Sequence, residues 1–484
     1  MELIKCGQPW FEMQIEYHGG VGCCCYFKYK RELWDFDTPF DVDKYWNGKF
    51  IQNIREIIAS NNPKGTGCEG CQYIKYGSAQ NFMELPSGLN KTQQDNWRGS
   101  IENYNRKSIV VDSYPVKYYM NFSLMCNLKC IMCCQENERK KDTRQLPVEQ
   151  LLNLKEYFIR ANELAIIGGE PFLIPNARKF ISGIINDPDY ADVKLSIFTN
   201  GTLLHNFIEN LQAIRRINIC ISLDSIGGAY EYIRQGAVWQ QTEKNIIAFK
   251  EVGAKNNLEW AVNIAGIIMK SSIPRLVEFV DWCIENDTPV HFVPLNPQGF
   301  TDSEDVMKYP GLLDDVPDWE DIFDTAIAKL TKRGWISGAA TPLTLIKNEI
   351  KARIITKRGE DLFVNGDIHG ALEHFIEANA MDPSYINVYN NTGVAYWETG
   401  EIKNALQNFV RALQIDPNNR DTILNCGKVL VGLGRLEDAR KLYAAYLLNN
   451  PNDDAVNQIY SEIGDFKNSA DRFIRHPLQY ERNS

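Results

Sequence analysis

The chain has 484 residues, 44% apolar and 24% charged, which bounds it to about two to four globular domains, each able to bury a core. A net charge of −10, with no lysine or arginine block, weighs against a nucleic-acid backbone as the main partner. No apolar run approaches the roughly 20 residues that span a bilayer, and the opening MELIKCGQPWFEMQ lacks the regions of a secretory signal. A cytoplasmic protein is expected, in which clustered cysteines serve metals rather than disulfides.

Residues 1–75 hold six of the thirteen cysteines. CGQPWFEMQIEYHGGVGCCCYF alternates like a β-hairpin around His18-Gly19-Gly20, KYWNGKFIQNIREIIAS reads as a helix, and GCEGC follows. Cys6 precedes the hairpin, Cys23, Cys24 and Cys25 end it, and Cys68 and Cys71 follow the helix, which supplies four thiolates. The Cys6-x-x-Pro9-Trp10 start, the cysteine after the glycine turn and the YWNG helix resemble the auxiliary iron–sulfur module called twitch, a shortened relative of the SPASM domain. That resemblance implies an auxiliary [4Fe-4S] cluster on Cys6, Cys24, Cys68 and Cys71, with Cys23 and Cys25 open as alternatives for the second ligand. A zinc knuckle is the other reading of Cys68 and Cys71. In most relatives this module follows the barrel, whereas here it comes first. Residues 76–113 are polar and poorly periodic and read as a connector passing over the barrel.

Across 114–300 short β-rich runs alternate with amphipathic stretches. VKYYMNFSL, ELAIIGG, KLSIFTNG, INICISLD, LEWAVNIAGIIM and VHFVPLN make six β/α units and predict a parallel sheet with helices outside, an open sheet or a partial barrel. Ligands in such folds gather at the C-terminal strand ends. There stands Cys126-x-x-x-Cys130-x-x-Cys133, one thiolate short of closing an iron–sulfur cube, whereas zinc would want four closed ligands. Cys134 lies outside the triplet. Gly168-Gly169-Glu170-Pro171 ends the second run, Thr199-Asn200-Gly201 the third, and SLDS, Ser222 to Ser225, the fourth.

This order of motifs resembles the radical S-adenosylmethionine (SAM) superfamily, although Met132 stands where many members carry an aromatic residue. The resemblance implies a partial (β/α)6 barrel in which Cys126, Cys130 and Cys133 hold a [4Fe-4S] cluster. The fourth ligand is then the amino and carboxylate groups of the cofactor's methionine. Gly168, Gly169, Glu170 and Pro171 would meet the cofactor's amine, Thr199, Asn200 and Asn263 are candidates around its ribose, and Ser222 and Asp224 are further cofactor-binding candidates. Arg234 would pair with its carboxylate through a guanidinium fork, the alternative being a solvated helix arginine.

Residues 301–350 read as an acidic loop and a helix with no assigned chemistry. Beyond them, in 351–484, Gly366, Gly400 and Gly434 recur at 34 residues, as do Ala371, Ala405 and Ala439 and the pairs Asp382-Pro383, Asp416-Pro417 and Asn450-Pro451. Tyr389, Gly393, Tyr396, Ala405, Phe409, Ala412 and Pro417 resemble the tetratricopeptide motif. Three repeats over 352–453 with a capping helix pair, an all-α solenoid, are expected. A concave surface for a peptide or protein is the functional reading, and a packing or dimerisation arm the other.

The resemblance implies reductive cleavage of S-adenosylmethionine to a 5′-deoxyadenosyl radical that abstracts hydrogen from a substrate. A flavodoxin or ferredoxin would supply the electron, and the auxiliary cluster would favour a net oxidation. The repeats favour a peptide or protein substrate. The alternative is a dehydrogenase or epimerase of a sugar, aminocyclitol or other small metabolite, with the repeats used for assembly and Cys220 or Cys283 as hydrogen donor. A zinc-bearing adaptor without catalysis is the third reading.

Overall fold

The computed structural model describes residues 6–24, 31–61, 68, 71, 82–295 and 302–465. Two units are present, Met1–Lys347 and Asn348–Ser484. Among the described residues no helix is long and apolar enough to cross a membrane.

The six expected runs form β4 (Lys117–Asn121), β6 (Glu163–Ile167), β7 (Lys194–Thr199), β8 (Arg216–Ser222), β10 (Glu259–Ile268) and β11 (Val290–Pro294), adjacent and parallel. Helices such as Pro175–Ile185 and Trp239–Lys255 separate them and bury one face each. This is the partial barrel expected from the sequence. The hairpin is present as β1 (Glu12–Glu16) and β2 (Gly20–Gly22), followed by β3 (Glu32–Leu33). It does not stand apart from the sheet. β1 pairs in parallel with β4 from Glu12↔Lys117 to Glu16↔Asn121, giving a nine-stranded order β11-β10-β8-β7-β6-β4-β1-β2-β3. The expected helix over Lys44–Ser60 is broken at Asn47-Gly48 into Val42–Trp46 and Lys49–Ala59. Arg55 ties it down: its guanidinium donates to Pro9 O (2.8 Å), Ile109 O (2.9 Å) and Asn47 Oδ1 (3.1 Å) and lies over Trp46.

The strand starts form a charged row. Glu12, Lys117, Glu163 and Lys194 are in register on neighbouring strands, with Lys117 Nζ 2.8 Å and Lys194 Nζ 2.5 Å from Glu163. Burial works against the Glu163 carboxylate, yet the two ammonium groups hold its pKa down at about 2. Glu12 is wholly buried, beside Gln8 and Lys117. Burial lifts its carboxyl to about 7 against the pull of Lys117.

The connector contains a helix that hydropathy did not reveal, Lys91–Asn105, closed by an Asn90/Gln93 capping box. Its buried face is Gln93, Trp97, Ser100 and Asn103, helical in spacing but mostly polar. Hydrogen bonds replace apolar contact: Gln93 Nε2 donates to Ala161 O at 2.7 Å and Ser100 Oγ to Ser113 Oγ at 3.1 Å. Asn90 and Arg216 both reach Asp192. Ala161 and Asp192 precede β6 and β7, so the connector underlies the strand starts, opposite the end that carries the motifs. In 302–347 the helix Trp319–Arg333 follows the acidic loop, and Lys329 pairs with Asp281 at 2.7 Å.

In the second unit helices pair as the 34-residue period predicts: Ile368–Met381, Ile386–Glu398, Ile402–Ile415, Arg420–Gly432, Leu436–Leu447 and Asp454–Asp465. The first repeat begins within a longer helix, Thr341–Val364. Gly366, Gly400 and Gly434 take φ of 87°, 79° and 70°, the left-handed conformation that ends a helix. Gly393 of the motif belongs to a second series: a Cβ on Gly359, Gly393 or Gly427 would strike Phe375, Phe409 or Tyr443. Glycine there lets paired helices close on an aromatic ring. The second helix of the expected capping pair lies outside the described residues.

Candidate functional site

The thiol loop leaves the C-terminal end of β4 and is fixed at three points. Its short strand β5 (Lys129–Cys130) pairs antiparallel with β9 (Arg234–Gln235), placing Cys130 opposite Arg234. Arg234 Nη1 donates to Cys130 Sγ at 3.7 Å, and Arg234 Nε pairs with Asp224 at 2.8 Å; both side chains are buried. Asp224 also accepts from Ile267 N at 2.9 Å, so the strand end after β8 orients the guanidinium. On the other side Asn200 Nδ2 donates to Cys126 Sγ (3.8 Å) and Asn127 Oδ1 (2.9 Å).

The third point is the GGEP turn. Gly169 N donates to Ser123 O at 2.8 Å and Glu170 N to Met125 O at 2.7 Å, so this turn lies directly against the start of the thiol loop. A Cβ on Gly169 would stand 2.1 Å from Met125 O, and Gly168 has φ 134° with Ser123 O 2.5 Å from where its Cβ would be. Two backbones in contact demand glycine here.

Glu170 is wholly buried, and its carboxylate faces protein: it accepts from Thr199 Oγ1 (2.8 Å), Asn200 N (2.8 Å) and Phe172 N (3.1 Å). Burial raises its pKa while these donors oppose the rise. Glu170 and Thr199 thus brace two turns against each other, whereas the sequence reading aimed both at a ligand. Pro171 follows in the same turn. Ser222 ends β8 half-buried, whereas Asn263 lies mid-strand at the level of Cys220, donating to Asn218 Oδ1 at 2.5 Å. Cys283 is fully buried on the helix Leu276–Glu285, and Cys220, half-buried, shares a strand face with Asn218.

Cys126, Cys130 and Cys133 are half-buried and electrostatically coupled, and Cys134 is exposed. Burial lifts the thiols of Cys126 and Cys130, the latter to about 11 despite Arg234. A bound metal, which deprotonates its thiol ligands, would reverse that. Among the described residues no three Cys, His, Asp or Glu side chains close on the point a single ion would occupy. A four-iron cube gives each thiolate its own iron and asks for a wider set. Met132 packs with Ile233, Met269 and Leu295, an apolar pocket that a flexible thioether fills in place of an aromatic ring.

In the N-terminal segment Cys6, Cys24, Cys68 and Cys71 are half-buried, and Cys6 is coupled to the other three; Cys23 is fully buried. Cys25 lies outside the described residues. Arg31 donates to Cys24 O (2.9 Å), Gln14 Oε1 (3.3 Å) and Glu16 Oε1 (2.7 Å), and Asn121 Nδ2 donates to Glu16 Oε2 at 2.8 Å. Sequence reasoning missed Arg31, Glu16 and Asn121. Strand alternation placed Asn121 on the same face as Lys117 and Tyr119, but nothing in the sequence showed that β1 would lie beside it.

A parallel sheet with three thiols and a glycine turn at its C-terminal edge is the arrangement the radical SAM resemblance implies. Residues 120–283 match the Radical SAM superfamily and residues 396–463 the tetratricopeptide repeat, so the chain carries a radical SAM domain and C-terminal tetratricopeptide repeats. That family implies a [4Fe-4S] cluster and S-adenosylmethionine. The GTP 3′,8-cyclase of Crocosphaera subtropica is 33% identical over 206 residues, 39% of this chain and 59% of the relative. That of Peptoclostridium acidaminophilum is 27% identical over 263 residues, 50% and 76% respectively. The chain spans 59% of the length of the Crocosphaera relative and 60% of that of a probable GTP 3′,8-cyclase from Methanococcus maripaludis. The second tetratricopeptide domain of human RPAP3, solved with an HSP70 peptide, aligns with 24% of this chain and 98% of its own at 21% identity and a TM-score of 0.23.

Proposed function

We propose that the protein is a radical SAM enzyme that oxidatively modifies a peptide or protein presented by its repeats. The observation that carries the reading is the thiol loop itself: Arg234 at Cys130, Asn200 at Cys126 and the GGEP turn bound beneath it, all at one edge of the sheet. The bound cluster and S-adenosylmethionine would supply a 5′-deoxyadenosyl radical that abstracts hydrogen from the substrate. Cys126, Cys130 and Cys133 would hold the cluster, with its fourth iron left to the cofactor's methionine. Arg234 Nη2, the guanidinium nitrogen engaged with neither Asp224 nor Cys130, would take that methionine's carboxylate, and Gly168 and Gly169 would expose backbone to its amine. The domain plan is a twitch-type module over 1–75, a connector over 76–113, the barrel over 114–300, a linker over 301–350 and repeats over 351–484. Cys6, Cys24, Cys68 and Cys71 would hold the auxiliary [4Fe-4S] cluster that takes the electron lost in a net oxidation, and a flavodoxin or ferredoxin would feed the first cluster. Hydrogen bonds from the buried Asn391 to Glu360 and from Asn425 to the buried Asn390 tie successive repeats together, the stacking on which a concave peptide-holding surface would be built.

A second reading is a small polar metabolite as substrate, with the repeats used for assembly. It is favoured by the strand face that carries Ser196, Asn218, Cys220 and Asn263. The first test measures iron, acid-labile sulfide and zinc per chain after anaerobic reconstitution, in wild type and in a Cys126→Ala, Cys130→Ala, Cys133→Ala variant. About eight irons falling to about four supports two clusters. Zinc without iron refutes the radical reading in favour of an adaptor.

A further inference from the structure

We propose that Asn121 binds the ammonium group of S-adenosylmethionine, with its carboxamide oxygen held in place by Glu16 and Arg31. The proposal rests on the radical SAM reading above and assigns a residue that no motif contains.

Asn121 ends β4 in register with Ile167, the residue before Gly168. Its Oδ1 is 2.9 Å from the point a Gly168 Cβ would occupy, so it lies against the turn that meets the cofactor's amine. The amide cannot be turned the other way. Glu16 is a carboxylate, which only accepts, and its second oxygen is already occupied by Arg31 at 2.7 Å. The amide nitrogen of Asn121 must therefore face Glu16, and the oxygen must face the turn. That oxygen is buried and has no hydrogen-bond partner. A buried acceptor left open disfavours the folded state unless a donor completes it.

The carboxylate that sequence reasoning assigned to this task, Glu170, is already occupied by Thr199, Asn200 and Phe172. Asn121 Oδ1 is the side-chain acceptor at the turn with an open valence. The chemistry it takes is an N–H donor, and a positively charged one gains most.

The test uses the full-length, iron-loaded protein and equilibrium dialysis under anaerobic conditions, with two probes. S-adenosylmethionine carries the ammonium group; 5′-methylthioadenosine shares the nucleoside and lacks it. Asn121→Ala is expected to weaken S-adenosylmethionine binding about 10- to 100-fold, the range of a hydrogen bond to a charged group, and to leave methylthioadenosine binding unchanged. Glu16→Gln gives an independent reading without touching Asn121. Its new amide offers a donor, Asn121 turns its oxygen toward it, and the same selective loss is expected. An equal loss for both probes, or no loss for S-adenosylmethionine in either variant, overturns the assignment. A wild-type protein that carries iron and binds neither probe instead refutes the radical reading, and the assignment with it.

Discussion

Replacing Glu12 with glutamine is expected to stabilise the barrel unit in alkaline solution and to change little in acid. Glu12 is wholly buried, and its carboxyl titrates at about 7 in the fold against an ordinary value of 4.5. The unfolded chain therefore releases a proton that the folded chain retains. Stability falls as pH rises from about 4.5 to about 7 and is level beyond. At about 1.4 kcal/mol per pH unit, the ionised carboxylate costs about 3 kcal/mol above neutrality and under about 1 kcal/mol at pH 5. Lys117, left without Glu12, keeps Glu163 at 2.8 Å, so the substitution strands no charge. With an unfolding entropy of about 2 cal/mol/K per residue, a unit of this size should gain about 4 °C in Tm. Thermal unfolding of wild type and Glu12→Gln at pH 8 and pH 5 measures it. The reasoning fails if the variant is no more stable at pH 8, or if its gain is the same at both pH values.

Two further substitutions separate the units. Gly169→Ala should abolish iron retention by the Cys126 loop while sparing the N-terminal site, because the added methyl meets Met125 O at 2.1 Å; iron per chain after reconstitution reads this directly. In the repeats, Tyr443→Phe removes a buried hydroxyl that has no hydrogen-bond partner and should stabilise the unit by about 1 kcal/mol in urea unfolding.

The parallel strands and the repeats were legible because their signals are local: a run of apolar residues ending in GGEP or TNG, or a glycine every 34 residues. The pairing of Cys130 with Arg234 was half legible. The arginine stood ten residues past Asp224, but its attachment to the thiol loop depends on a two-residue strand, too short to leave a pattern. The connector helix escaped because Gln93, Ser100 and Asn103 are buried through hydrogen bonds, which hydropathy counts as exposure. The hydrogen bonds from Thr199 and Asn200 to Glu170 were not legible. A carboxylate beside a glycine turn reads as a ligand until Thr199 and Asn200 are seen to fill it, and that needs two strand ends at once.

The parallel pairing of β1 with β4 also has a consequence for engineering and for synthesis. Residues made first are bound to a strand made about a hundred residues later, so the barrel's first strand has a bare flank until the N-terminus folds back, a slow, long-range closure. Deleting the first two dozen residues would therefore do more than remove a thiol site. It would leave the backbone donors and acceptors of Lys117–Asn121 open along a parallel sheet, a template for another chain. A truncated barrel should aggregate on expression, and any attempt to study the radical domain alone has to keep β1 with it.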